Sequence, residues 1–173
     1  MSPRVQWVLA LGTCLASCAI QAAEIWTGWV SWVMDGDTVL LVRDGQHEPV
    51  KLRVDGIDAP ETCQPGGAEA RDAMIRLALR KSVSVVDLGH DSYGRQLGRL
   101  SVDGLDLGAE MVRNGMAWAY RFRTGHGPYA RLQRQAQTQK IGLFAAADPV
   151  AVFACLSVSR LQAFPWQPAL AWG

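Results

Sequence analysis

Three short stretches hold the side chains able to do chemistry together: Asp35-Gly-Asp-Thr38, the run Lys51-Leu-Arg-Val-Asp-Gly-Ile-Asp-Ala-Pro-Glu61, and Tyr93-Gly-Arg95. If a meander of strands brings the first two together, Asp37 and Asp58 become paired carboxylates. Hard oxygen ligands of this kind suit Ca²⁺ or Mg²⁺, with waters and a backbone carbonyl completing the shell. The pattern is not an EF-hand, because Val39 stands at the next alternating position and no glutamate holds the loop's last ligand position. Taken alone, Asp35-Gly-Asp-Thr38 reads first as a hairpin turn. Arg53 and Arg95 add planar, permanently charged forks that match phosphate oxygens. Glu61 has no metal-ligand partner left and is available as a general base for a water. A hard cation, a base and two arginines at one place describe a phosphodiesterase. His47, His90 and His126 have no partner at metal-ligand or nucleophile spacing, and no Ser or Cys nucleophile is supported.

These stretches need strands to hold them. Val50, Leu52 and Val54 alternate with Lys51, Arg53 and Asp55, the period-2 pattern of a half-buried strand. Gly56 breaks the strand with a bulge or kink, and Pro60 forces Ala59 into an extended conformation. Upstream, Glu24 to Met34 reads as a strand with both faces buried, Trp26, Val30 and Trp32 on one and Ile25, Trp29 and Val33 on the other. Asp35 to Thr38 turns it into a second strand, Val39 to Val42, and Asp44-Gly45 turns the chain into the third. Ala68 to Leu79 has helical spacing, with Ala70, Ala73, Met74, Leu77 and Ala78 on its apolar face. Val83 to Leu88 and Gln96 to Val102 give two more strands. A short helix over Leu105 to Asn114 is stopped by Gly115, and a last helix runs from Pro128 to Lys140. The expected fold is α+β and mainly β: an OB-fold barrel of five strands with about three helices packed outside it.

Composition sets wider bounds. With 49% hydrophobic and 19% charged residues in 173, the chain suits one compact domain. Seventeen basic against sixteen acidic residues exclude an argument for nucleic-acid binding from net charge. Distribution is more informative, because Met111 to Ala147 carries six basic residues and no acidic one. Residues 1–22 read as a signal segment, 24–147 as the domain, and 148–173 as an apolar tail without an assigned role. Two processing sites compete in the leader: Ile20-Gln-Ala22 suits ordinary signal peptidase, and Leu15-Ala-Ser-Cys18 resembles a lipobox that would leave a lipid anchor at Cys18. Either places the mature protein outside the cytoplasm, periplasmic, secreted or on the envelope. In that oxidising setting Cys63 and Cys155 are expected to pair, with two free thiols as the alternative.

The three blocks, in this order and spacing, resemble the signature of the staphylococcal (thermonuclease-like) nuclease family. The resemblance runs from Trp26 to Phe144 and includes Met111-Val-Arg-Asn-Gly-Met-Ala117 and Gly142-Leu-Phe144. It implies Ca²⁺ held by the carboxylates of Asp37 and Asp58 and by the backbone carbonyl of Ala59, where the family often has Thr. It implies Glu61 as general base or water-positioning group, Arg53 and Arg95 on the scissile phosphate, Tyr93 helping to hold a phosphate, and Tyr120 stacking on a base. The implied reaction is calcium-dependent hydrolysis of DNA and RNA to 3′-phosphate ends by a monomer with no obligate protein partner. Some relatives of this fold have lost catalytic residues and only bind nucleic acid, so a catalytically weak binding module of the envelope is the competing reading. Asp55 matches no functional position of the family.

Overall fold

The computed structural model describes residues 23–120 and 127–145. The signal segment, Cys18, Cys155 and the tail at 148–173 lie outside the described residues, as does the proposed pairing of Cys63, which is itself exposed. Five strands form the barrel: β1 (Ile25–Val33), β2 (Thr38–Arg43), β3 (Pro49–Val54), β5 (Ser82–His90) and β6 (Gln96–Val102). Between them β4 (Ile57–Asp58) and α1 (Gly67–Ala78) follow β3 in the chain. After β6 come β7 (Leu105–Asp106), α2 (Leu107–Arg113), β8 (Trp118–Ala119) and α3 (Ala130–Gln139), then a 3-10 turn at Gly142–Phe144. The strand order is β3-β2-β1-β5-β6, with every neighbour antiparallel. Parallel pairing of β3 with β6, Leu52 opposite Gln96 and Val54 opposite Gly98, closes the sheet. Closure removes the open edges that would otherwise invite pairing with another chain. The expected five-stranded barrel with three helices is the observed fold.

The interior takes one face of each strand. Val30, Val39, Leu41, Leu52, Val54, Val83, Val85 and Leu100 are fully enclosed, and Ala70, Met74 and Ala78 of α1 and Leu107, Met111 and Val112 of α2 close over them. A smaller cluster of Trp118, Ala136, Leu143 and Phe144 seats α3, so Trp118 is a packing residue. Asp106 caps α2 by accepting from the Ala109 N–H at 3.0 Å, and it accepts the Tyr129 hydroxyl at 2.9 Å, tying α3 to α2. The helix expected from Leu105 therefore begins two residues later, because Leu105 and Asp106 pair with β6.

The first strand departs from expectation. Its alternation holds through Val30 and then slips, since Val30 faces Leu41 but Trp32 faces the very next residue of β2, Leu40. Ser31 is the extra residue of a β-bulge, its hydroxyl donating to the Leu40 carbonyl at 3.1 Å. After the slip Val33 points into the core and Trp32 out, and Ile25 and Trp29 lie on a face that is solvated rather than buried.

The turn after β1 is pressed against the rest of the fold. A Cβ on Gly36 would fall 2.7 Å from the Ala59 Cβ and 2.9 Å from the Ala70 Cβ, neither of which can swing away. Gly36→Ala should therefore cost about 1–3 kcal/mol by overpacking. Leu52→Ala, which empties the strand that closes the barrel, should cost about 2–5 kcal/mol. Urea unfolding followed by tryptophan fluorescence measures both.

Candidate active site

The first two blocks meet at one end of the barrel because β2 and β3 pair in register, Thr38 opposite Arg53. The Val54 N–H donates to the Asp37 carbonyl at 2.8 Å, locking the two turns together. The Asp35 carboxylate accepts the Asp37 N–H at 3.1 Å and shapes the turn. Asp37 is buried, at 3% exposure, and both its oxygens are engaged. Oδ1 accepts from the Thr38 hydroxyl at 2.9 Å and from Arg53 Nη1 at 2.8 Å, and Oδ2 accepts the Ala59 N–H at 2.9 Å. The second arm of the Arg53 fork, Nη2, donates to Asp58 Oδ1 at 2.7 Å and more weakly to the Ile57 carbonyl at 3.4 Å. One guanidinium thus bridges both carboxylates. Among the described residues its Nε–H and one Nη1–H have no hydrogen-bond acceptor.

The electrostatics are those of crowded negative charge. Burial pushes the Asp37 carboxyl up to about 7, against the pull of Arg53, and the neighbouring Asp35 and Asp58 push in the same direction as burial. Desolvation would lower the Arg53 guanidinium, but Asp37 and Asp58 outweigh it and hold the group firmly charged. Glu61 is raised by partial desolvation and then by Asp35, opposed by Arg53. As an exposed side chain it feels only a screened version of these fields. Among the described residues no three acidic, cysteine or histidine groups converge as a ready-made metal cage. The donor set is instead two carboxylates, Asp37 and Asp58, in a field with surplus negative charge. That fits a hard divalent cation taking the rest of its shell from water and main-chain oxygen.

Glu61 is placed by a turn of its own. Its N–H donates to the buried Gln64 side chain at 2.8 Å, and its carbonyl accepts the Gln64 N–H at 2.7 Å. A Cβ on Gly67 would collide with that carbonyl, so α1 can start there only with glycine. The Thr62 hydroxyl donates to the Met34 carbonyl at 3.3 Å, tying the loop back to the first turn. Gln64 is the positioning group that sequence reading missed. It is an ordinary polar residue in a turn, and nothing in its spacing marks it.

The third block stands beside this cluster without joining it. Pairing of Leu52 with Gln96 sets Arg95 next to the Lys51 end of β3. Asp91 organises the turn, accepting the N–H groups of Tyr93 and Arg95 at 2.9 Å each and Arg95 Nε at 2.7 Å. Against a desolvation cost, these bonds hold Asp91 below the ordinary aspartate range. The Arg95 guanidinium lies over the Tyr93 ring, 5.4 Å from its centroid, and Tyr93 is 79% exposed. Tyr120 is delivered by β8, which pairs with β4 so that Asp58 faces Trp118, and the Tyr120 N–H donates to the Gly56 carbonyl at 2.9 Å. Its side chain is also exposed. Asp55 pairs with Arg99 at 3.3 Å and takes no part in the cluster. A cleft of about 480 Å³ between α1 and α2 contains none of these residues. Within the cluster Asp37 and Arg53 are the enclosed members, Asp58 is half-buried and Glu61 is exposed.

The staphylococcal nuclease homologue family model matches residues 51–146. Protein ParB of Escherichia coli is 37% identical over 147 residues, covering 77% of this chain and 81% of that protein. An uncharacterized endonuclease of Haemophilus influenzae is 34% identical over 144 residues, covering 83% and 78%. Rice (Oryza sativa subsp. japonica) has a protein named probable staphylococcal-like nuclease CAN1, 36% identical over 99 residues, which are 57% of this chain and 30% of that protein. With the barrel, the bridged carboxylates and these relatives in agreement, the chain belongs to the staphylococcal nuclease homologue family.

Proposed function

We propose that this protein is a calcium-dependent nuclease that hydrolyses phosphodiester bonds of DNA and RNA and leaves 3′-phosphate ends. The observation that carries the reading is the Arg53 fork joining Asp37 to Asp58 at the open end of the barrel, with Glu61 on the adjoining turn. Asp37, Asp58 and the Ala59 carbonyl would hold the cation. Bound there, calcium would offset the surplus carboxylate charge and polarise the phosphate. Arg53 donates its free N–H groups to an equatorial phosphate oxygen, where negative charge grows during in-line attack. Arg95 supplies a second fork from the neighbouring strand and is held in place by Asp91. Glu61 orients the attacking water and accepts its proton, a task that suits a carboxylate held above its ordinary range by partial desolvation. Tyr93 and Tyr120 present exposed rings to the strand on either side of the phosphate. With the apolar leader acting as an export signal, hydrolysis takes place in the periplasm or outside the cell.

Incubating the protein with single-stranded DNA should give cleavage that a chelator stops and added calcium restores. Absence of calcium-dependent cleavage would remove the enzyme reading. Glu61→Gln should lower kcat about 10²- to 10⁴-fold while the fold survives, because Glu61 is exposed. Arg95→Ala should lower kcat about 10²- to 10³-fold, again with native melting behaviour. Wild-type turnover in Arg95→Ala would refute the two-arginine clamp. Arg53→Lys is a fairer test than Arg53→Ala, which strands the buried Asp37 carboxylate and confounds activity with stability.

A further inference from the structure

The bulge at Ser31 leaves an unusual surface beside the proposed site. Trp32 is 54% exposed and Trp29, farther along β1, is 44% exposed. Arg71 of α1 lies over the Trp32 ring with its guanidinium carbon 5.4 Å from the centroid. Its Nε donates to the Val33 carbonyl at 3.1 Å, which fixes the guanidinium over the indole. Across the sheet Leu40 stands opposite Trp32, and Lys51 stands opposite Leu40. One outward-facing row therefore runs Arg71, Trp32, Leu40, Lys51, with a cation at each end and an indole within it.

This row adjoins the catalytic turns. Trp32 is three residues from Asp35, and the Met34 carbonyl between them accepts the Thr62 hydroxyl next to Glu61. Lys51 is near enough to Glu61 for its charge to act there. A strand with its phosphate over Arg53 and Glu61 would reach this row with its neighbouring phosphates toward Arg71 and Lys51 and an unpaired base toward the Trp32 indole.

We propose that Trp32, backed by Arg71, is a stacking platform for a base flanking the scissile phosphate, and that it favours single strands over duplex. The proposal rests on the nuclease reading for its substrate and on the register of β1 for its geometry. In a duplex the base faces are occupied by their neighbours, whereas an unpaired base can leave the stack and lie on an aromatic face. Such stacking is tolerant of base identity. Arg71 contributes by fixing the ring and by carrying charge, so its loss should weaken binding and steepen no sequence preference.

The test uses wild type, Trp32→Ala, Trp32→Phe and, as a control outside the row, Leu105→Ala, an exposed apolar residue on β7. Cleavage and fluorescence anisotropy are measured with a labelled single strand of about twelve nucleotides and with a duplex of the same sequence. Trp32→Ala should weaken single-strand binding about tenfold and raise KM to match. Trp32→Phe should recover part of the loss, Leu105→Ala should match wild type, and duplex binding should change less. Unaltered single-strand affinity in Trp32→Ala overturns the platform, whether or not the protein cleaves. Weakened affinity without any wild-type cleavage would keep the platform and reject the nuclease reading. An equal loss on duplex and single strand would overturn the single-strand preference.

Discussion

A carboxylate buried at the end of a β-barrel is tolerable only when its charge is answered, and Asp37 is answered by Arg53. The rest of the site follows from that pairing. Because the guanidinium reaches from Asp37 to Asp58, it draws the turn after β3 onto the turn after β1. The Ala59 N–H completes the Asp37 shell and draws in the chain that leads to Glu61. Gly36 permits this closeness by offering no side chain between Ala59 and Ala70. The cluster is therefore held together by the chain's own groups, with Arg53 and the Ala59 N–H answering the Asp37 carboxylate.

Barrel closure decides what stands around the cluster. Parallel pairing of β3 with β6 puts the Asp91–Arg95 turn beside the Arg53 strand, so the second arginine comes from a segment some forty residues downstream. The short pairing of β4 with β8 brings Tyr120 to the other side. Neither contact is local. Each costs loop-closure entropy that the surrounding hydrophobic core must offset, which is why the packing of α1 and α2 over the barrel matters to chemistry at its end.

Much of this was legible in the chain. Two-residue alternation located β2, β3, β5 and β6 within a residue or two, helical spacing located α1 within one, and Asp-Gly pairs marked the turns between strands. The side chains that meet at the end of the barrel, Asp37, Arg53 and Asp58, were identifiable by type and clustering. Less legible was β1, where six apolar or aromatic residues looked like a strand buried on both sides. Only the register against Leu40 and Leu41 reveals that Ser31 is an extra residue, and that single slip exposes Trp32 and buries Val33. Gln64 was invisible for a different reason, since its work is a hydrogen bond to one backbone N–H and leaves no pattern.

Side-chain chemistry and short-range periodicity are written in the order of the residues, and from them came the nuclease-like blocks, the strands that bear them and the barrel those strands suit. Which way an aromatic ring faces, which carboxylate is buried, and which arginine bridges rather than waits are set by partners distant in the chain. Register between strands and the closure of β3 onto β6 decided those, because a one-residue shift in pairing reverses the face of every side chain that follows it.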